Sequence, residues 1–190
     1  MFATEITLIG FSFTVSKFLI TTGWGGGKIV TKSEIIDLSE LGNYQCPDWV
    51  DYPIEVDGAT GGLLGTIPII CSGEYPVTDE CYKITAKEAV LVVKMTTKRW
   101  GAASVTINST SLWITGGSGG FSSTEFIHLE DGTMPGPDLP IAVYGHAMIN
   151  IRNDLTMIIG GQYSSYTYST QTFYYNLICC NYIGILDFMK

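Results

Sequence analysis

Leu112-Trp113-Ile114-Thr115-Gly116-Gly117 is an apolar, β-favouring run that ends abruptly on two glycines. Four residues of this kind in a row read as a strand covered on both faces. The glycine pair reads as a place where the backbone takes positive φ, or passes a neighbouring sheet too closely for a Cβ. The same sentence recurs along the chain. An apolar strand ends on glycine at Gly23 (LITTG), Gly73 (IICSG), Gly117 and Gly161 (MIIGG), with spacings of 50, 44 and 44 residues. The second and third of these occur as Ser72-Gly73 and Gly116-Gly117, the outer two as Thr22-Gly23 and Gly160-Gly161.

Two further markers keep phase with the first. Gly58-Ala59-Thr60, Gly101-Ala102-Ala103 and Gly145-His146-Ala147 open a strand 15, 16 and 16 residues before the terminal glycine, and Gly10 stands 13 before Gly23. After each terminal glycine a polar loop leads to a short aromatic or aliphatic strand: Ile35-Ile36-Asp37-Leu38, Tyr82-Lys83-Ile84, Phe126-Ile127-His128-Leu129 and Phe173-Tyr174-Tyr175. Within a unit, Ala103, Val105 and Ile107 alternate with more polar neighbours as in a half-buried strand. Asn108-Ser109-Thr110 and Arg152-Asn153-Asp154 supply turn chemistry before the second strand. A fourth strand is clear at Ala89 to Met95 and weak in the third unit, where Met134-Pro135-Gly136-Pro137 reads as a turn. Ser33 to Leu41 has helical spacing, but its register in the repeat makes it a strand.

Four strands in about 45 residues leave two repeat folds, WD40 and kelch propellers. No Trp-Asp dipeptide ends a unit, and Gly-His does not open them regularly. The glycine doublet followed by an aromatic third strand resembles the kelch repeat, over roughly residues 8 to 176. The counterpart of the family's fourth-strand Trp is Trp49. The resemblance implies an all-β fold, a kelch-type β-propeller fragment of about four four-stranded antiparallel blades. Its units are 1–53, 54–98, 99–142 and an incomplete 143–176, followed by a non-repeat hydrophobic tail at 177–190. Kelch propellers close with five to seven blades, so the chain resembles part of one. Open blade edges and apolar sheet faces invite self-association.

Composition narrows the function. The 190 residues are 46% apolar and 15% charged, with a formal net charge of −8, a packing protein with no clustered Lys and Arg for a nucleic-acid backbone. No apolar run reaches the roughly 20 residues of a membrane span. Ile6 to Val15 has the length of a signal-peptide core, but Glu5 precedes it without a basic region, and it reads as a strand. Cys46, Cys71, Cys81, Cys179 and Cys180 form no zinc spacing. Cys71 and Cys81 flank a short loop centred near Pro76, level with each other across a hairpin, and are expected to form a disulfide. Asn108-Ser109-Thr110 is a glycosylation acceptor at a hairpin tip.

Enzyme motifs fail in detail. In Gly23-Trp24-Gly25-Gly26-Gly27-Lys28 the first P-loop glycine would fall on Thr22, and Ile29 stands where Ser or Thr would bind magnesium. Gly116 to Phe121 lacks dinucleotide spacing. His128 and His146 sit at repeat positions held elsewhere by Ile or Lys and by Ala. Asp79-Glu80 and Glu130-Asp131 are read as loop acids. The Tyr, His and Cys set of galactose-oxidase-like propellers has no place here. The reading is therefore a non-enzymatic scaffold without cofactor or metal, binding a protein partner through blade loops. The candidate loops are Trp24–Lys32, Glu74–Glu80, Ser118–Glu125 and Gln162–Thr172, the last rich in Tyr163, Tyr166 and Tyr168 among hydroxyl residues. An oxidised cysteine pair favours an extracellular setting; free thiols favour an intracellular kelch adaptor.

Overall fold

The computed structural model describes residues 17–37, 48–118, 121–152, 154–164, 167–176 and 181–187. Over these residues the chain is all β, antiparallel throughout and without helix. The first sheet contains β1 (Lys17–Gly25), β2 (Lys28–Asp37) and β3 (Asp48–Trp49). Its expected first strand, at Ile6 to Val15, lies outside the described residues. The second sheet runs β4 (Thr60–Leu64), β5 (Ile67–Cys71), β6 (Thr78–Ile84) and β7 (Ala89–Arg99) in chain order. The third repeats that order with β8 (Ala103–Asn108), β9 (Ser111–Thr115), β10 (Thr124–His128) and β11 (Gly132–Pro135). The fourth begins with β12 (Ala147–Arg152) and β13 (Leu155–Ile159), interrupts itself with a small hairpin, β14 (Gln162–Ser164) and β15 (Thr167–Tyr168), and ends with β16 (Gln171–Asn176) and β17 (Asn181–Asp187).

β17 corrects the expected boundary at residue 176. The supposed tail supplies the outer strand of the fourth sheet, pairing Gln171 with Asp187 and Asn176 with Asn181. The register shifts opposite Tyr174 and Tyr175, with Ile183 as the extra residue of β17, and the β14–β15 hairpin inserted before β16 moves the last two strands out of the spacing kept by the preceding units. The fourth unit is thus a full four-stranded sheet. A second correction concerns Met134-Pro135: β11 is a strand through Pro135, which pairs with Glu125. It is the sheet's edge, where a residue without an N–H breaks no inner ladder. Asp79 and Glu80 are also strand residues, on β6, and not loop acids.

Packing follows the sheet order. Three buried clusters lie between successive sheets. Leu19 of the first meets Ile70 and Ile84 of the second; Leu64, Ile69 and Met95 of the second meet Leu112, Ile114 and Ile127 of the third. Trp113 of the third meets Ile158, Phe173 and Tyr175 of the fourth. Trp113 is fully buried, stacks on Phe126 and meets Tyr175 edge-on. Burial of such an indole contributes on the order of 5 kcal/mol. The first strands of neighbouring sheets are laced by side chains. Ser104 Oγ donates to Gly61 O at 2.6 Å and Thr106 Oγ1 to Leu63 O at 2.9 Å, both from β8 to β4. Asn150 Nδ2 of β12 donates to Thr106 O of β8.

Candidate functional site

The four doublets have one geometry. The first residue of each is left-handed: Thr22 at φ 40°, Ser72 at 64°, Gly116 at 60° and Gly160 at 66°. The second is at φ 141°, 131°, 112° and 94° for Gly23, Gly73, Gly117 and Gly161. Two of the left-handed residues carry side chains, a conformation that costs on the order of 1–2 kcal/mol each. The turn is held regardless, because the backbone there is committed to the neighbouring segment. Gly73 N donates to Arg99 O at 3.0 Å, and Gly117 N to Val143 O at 2.9 Å. A Cβ on Gly117 would lie 3.0 Å from Arg99 Cβ and 3.2 Å from Trp100 O. Gly23 differs in one respect: β1 runs on past it to Gly25, across a register shift between Thr21 and Gly23.

In the second, third and fourth sheets the doublet launches the connection from the second strand to the third, and in the first it lies in β1 just before the β1–β2 turn, so these connections leave the doublet end of their sheets. They fall within the four stretches read from sequence as loops, although Trp24-Gly25 and Lys28–Lys32 are strand and Gln162–Thr172 holds the β14–β15 hairpin, and they carry exposed aromatics: Trp24 is 44% accessible, Tyr75 61%, Tyr163 51% and Tyr168 71%. Tyr163 and Tyr168 border an open cleft of about 280 Å³ with Ile141, Ser169, Thr170 and Gln171. Tyr166 lies outside the described residues. Gly23–Lys28, tested above as a phosphate loop, is the β1–β2 hairpin with its turn at Gly26-Gly27.

The third loop stands on a buried ion pair. Arg99, at the end of β7, is fully buried and reaches across to the next unit. Its Nη1 donates to Gly116 O at 2.7 Å and Ser123 O at 3.0 Å, and its Nη2 to Glu125 Oε1 at 2.7 Å. Glu125 in turn accepts from the backbone of Thr96 at 2.7 Å and Thr97 at 3.2 Å. One guanidinium therefore pins both ends of the segment 116–125. Sequence reasoning did not find it, since Lys98-Arg99 at a strand end looks like any solvated basic pair.

Cys71 and Cys81 face each other across β5 and β6 with a Cα separation of 4.1 Å, and are joined by a disulfide. Both are buried. Cys46, Cys179 and Cys180 lie outside the described residues. The same register position is filled by Thr21 and Ser33 in the first sheet, Thr115 and Thr124 in the third, and Ile159 and Thr172 in the fourth. In the first sheet the two hydroxyls are hydrogen-bonded at 2.6 Å.

His146 is buried beside the last two doublets. It donates from Nε2 to Thr115 Oγ1 at 2.7 Å, which donates onward to Met148 Sδ; burial lowers its pKa to about 4, so the imidazole is neutral near pH 7. His128 is at the other end of the sheets, with Nδ1 3.0 Å from Ser111 Oγ. It borders a second cleft of about 290 Å³ with Leu64, Ser109, Thr110, Leu129, Glu130 and Asp131. Asn108 is exposed next to that cleft, and its Oδ1 accepts from both N and Oγ1 of Thr110 at 2.8 Å. On β6, Glu80 accepts from Tyr82 Oη at 2.6 Å and pairs with Lys94 at 2.9 Å. The Tyr82 hydrogen bond, then Lys94, holds its carboxyl below the usual range. Among the described residues no group of His, Cys, Asp or Glu has a metal-binding arrangement, and no helix is long and apolar enough to cross a membrane.

The chain is similar in fold to the protein described in "Structure of YjhT", with a TM-score of 0.77 and 14% identity. The match covers 94% of this chain and 64% of that one, so this chain spans somewhat under two thirds of its length. No protein-family model matches the chain, and no curated protein matches it.

Proposed function

We propose that the four sheets are successive blades of a kelch-type β-propeller arc, and that the chain is a non-enzymatic scaffold binding a protein partner through the loops at the doublet end. The observation that carries this reading is the exposure of Trp24, Tyr75, Tyr163 and Tyr168 on connections leaving one end of the sheets. Tyrosine on a rigid frame offers amphipathic contact area with few torsions to freeze, as in antibody paratopes. The blade reading is supported by the repeated doublet geometry and by first strands laced side by side. The Cys71–Cys81 bridge supports an oxidising compartment, with the extracellular side favoured.

Panning a displayed random-peptide library against the protein tests the binding face. Selected peptides are expected to lose at least tenfold in affinity with Tyr75→Ser or with Tyr163→Ser plus Tyr168→Ser. Leu129→Ser, at the other end of the sheets, leaves them unchanged. Selection that returns no peptide sensitive to the loop substitutions overturns the reading.

A further inference from the structure

The open cleft of about 280 Å³ beside the β14–β15 hairpin is lined by Ile141, Tyr163, Tyr168, Ser169, Thr170 and Gln171. None of these side chains is a carboxylate, an ammonium or a guanidinium. Ile141 packs on the core between the third and fourth sheets. The segment 169–171 is tied to both residues of the fourth doublet: Ser169 N donates to Gly161 O at 2.7 Å, and Gly160 N to Gln171 O at 3.2 Å. Gln171 N donates to Ser169 Oγ at 3.1 Å. Among the described residues, the phenols of Tyr163 and Tyr168 and the carboxamide of Gln171 have no hydrogen-bond partner.

These features select a ligand. The cleft is open and falls below the roughly 300–1,000 Å³ of pockets that enclose small molecules. It suits a chain that enters, crosses and leaves. The amides of Ser169 and Gln171 are already spent within the protein, so an added strand finds no donors there for a ladder. What the cleft offers is side-chain donors between two aromatic rings. A polyproline II segment fits that offer: it has no ladder to satisfy, its carbonyls are free to accept, and its stiffness limits the entropy lost on docking. A lining without formal charge gives a charged segment nothing to pair with.

We propose that this cleft seats an uncharged, proline-rich segment of the partner in polyproline II form. The inference deepens the binding reading above and rests on it. Proline rings lie on Tyr163 and Tyr168, while the two phenols and the Gln171 carboxamide donate to the segment's carbonyls.

Two displayed peptide libraries, one with fixed Pro-x-x-Pro and one without proline, are panned against the chain. Peptides lost with Tyr163→Ser plus Tyr168→Ser are expected to come from the proline library and to be poor in charged residues. A synthetic copy of the strongest, followed by fluorescence anisotropy, should bind roughly tenfold more weakly to Gln171→Glu, which removes a donor. Leu129→Ser leaves it unchanged. Tyr163→Phe plus Tyr168→Phe keeps the rings and removes both hydroxyls, so it serves if the serine variant loses its β spectrum; it should weaken binding without abolishing it. Tyrosine-pair-dependent peptides from the proline-free library, dependence on Tyr75 alone, or equal affinity for Gln171→Glu each overturn the proposal and leave the wider binding face standing. No loop-dependent peptide from either library overturns both.

Discussion

The amide of Gly145 donates to the carbonyl of Gly101 at 2.7 Å, from the lip of the fourth sheet to the lip of the third. Gly101 donates in the same way to Gly58 at 2.8 Å. All three glycines sit at φ near 60°, and each opens the first strand of its sheet. This backbone ladder fixes the spacing of the sheets independently of any side chain. It explains why three units keep a strict 43- to 44-residue phase although their sequences have drifted. The doublets then meet the segment just before the ladder, so loop position is set by glycine geometry.

Gly117→Val is expected to destabilise the fold by roughly 3 kcal/mol or more. It combines a disfavoured positive φ with a Cβ pressed on Arg99 and Trp100. Gly132→Ala supplies the contrast: it too has positive φ, but nothing stands within 4 Å of its added methyl, and a loss of about 1 kcal/mol is expected. Denaturant melts of the two variants check the ranking, and equal effects would remove the close-approach argument.

The disulfide closes a short hairpin loop, and its removal should cost about 2.5–3 kcal/mol by freeing the unfolded chain. The first sheet suggests how much can be recovered. Cys71→Thr with Cys81→Ser reproduces the Thr21–Ser33 pair and should be about 1 kcal/mol more stable than the double alanine variant. Urea unfolding with and without reductant, on wild type and both variants, measures each term.

Much of this was legible beforehand because it depends on local backbone chemistry. Glycine doublets, apolar second strands and the level placement of Cys71 and Cys81 all follow from period-2 strands joined by short loops. What was missed depends on partners distant in sequence. Arg99 is buried only because the Gly116–Glu125 segment folds over it from the next unit. Asp79 and Glu80 look like loop acids until β7 supplies the other half of their ladder and Lys94 pairs with Glu80. β17 escaped because the longer connection from Gly161 to β16, which carries the β14–β15 hairpin, puts it out of phase with the outer strands of the preceding sheets.

Arg99→Met should cost about 3–5 kcal/mol, since it leaves Glu125 as a buried carboxylate that has lost its cation. Arg99→Met with Glu125→Leu is expected to cost less than the single change, because no charge is then stranded. Both should loosen residues 118–123, so limited proteolysis is expected to cut there first. A single variant as stable as the double one would mean the pair does not hold the loop.

If the chain passes through a secretory pathway, the exposed Asn108 should carry glycan. Expression in a secreting eukaryotic host followed by peptide mass spectrometry checks it, with Asn108→Gln as control. A bare peptide at full occupancy would oppose secretion.

His146 makes stability depend on pH in a defined window. Burial has lowered its pKa from 6.5 to about 4, so between those values the unfolded chain binds a proton that the folded chain refuses. Stability contributed by the neutral imidazole is therefore complete above pH 6.5, declines as pH falls, and has no more to lose below about 4. The shift corresponds to roughly 3 kcal/mol across the window. Carboxylates held below their usual range, such as Glu80 with its Tyr82 hydrogen bond, also lose their contribution as pH falls, so the comparison has to be with a variant. His146→Gln keeps a donor toward Thr115 but cannot take up the proton, and its unfolding free energy should fall less steeply between pH 7 and 4.5. Parallel curves for the two proteins would show that His146 is protonated in the fold at no cost, against the sealed, neutral imidazole described here.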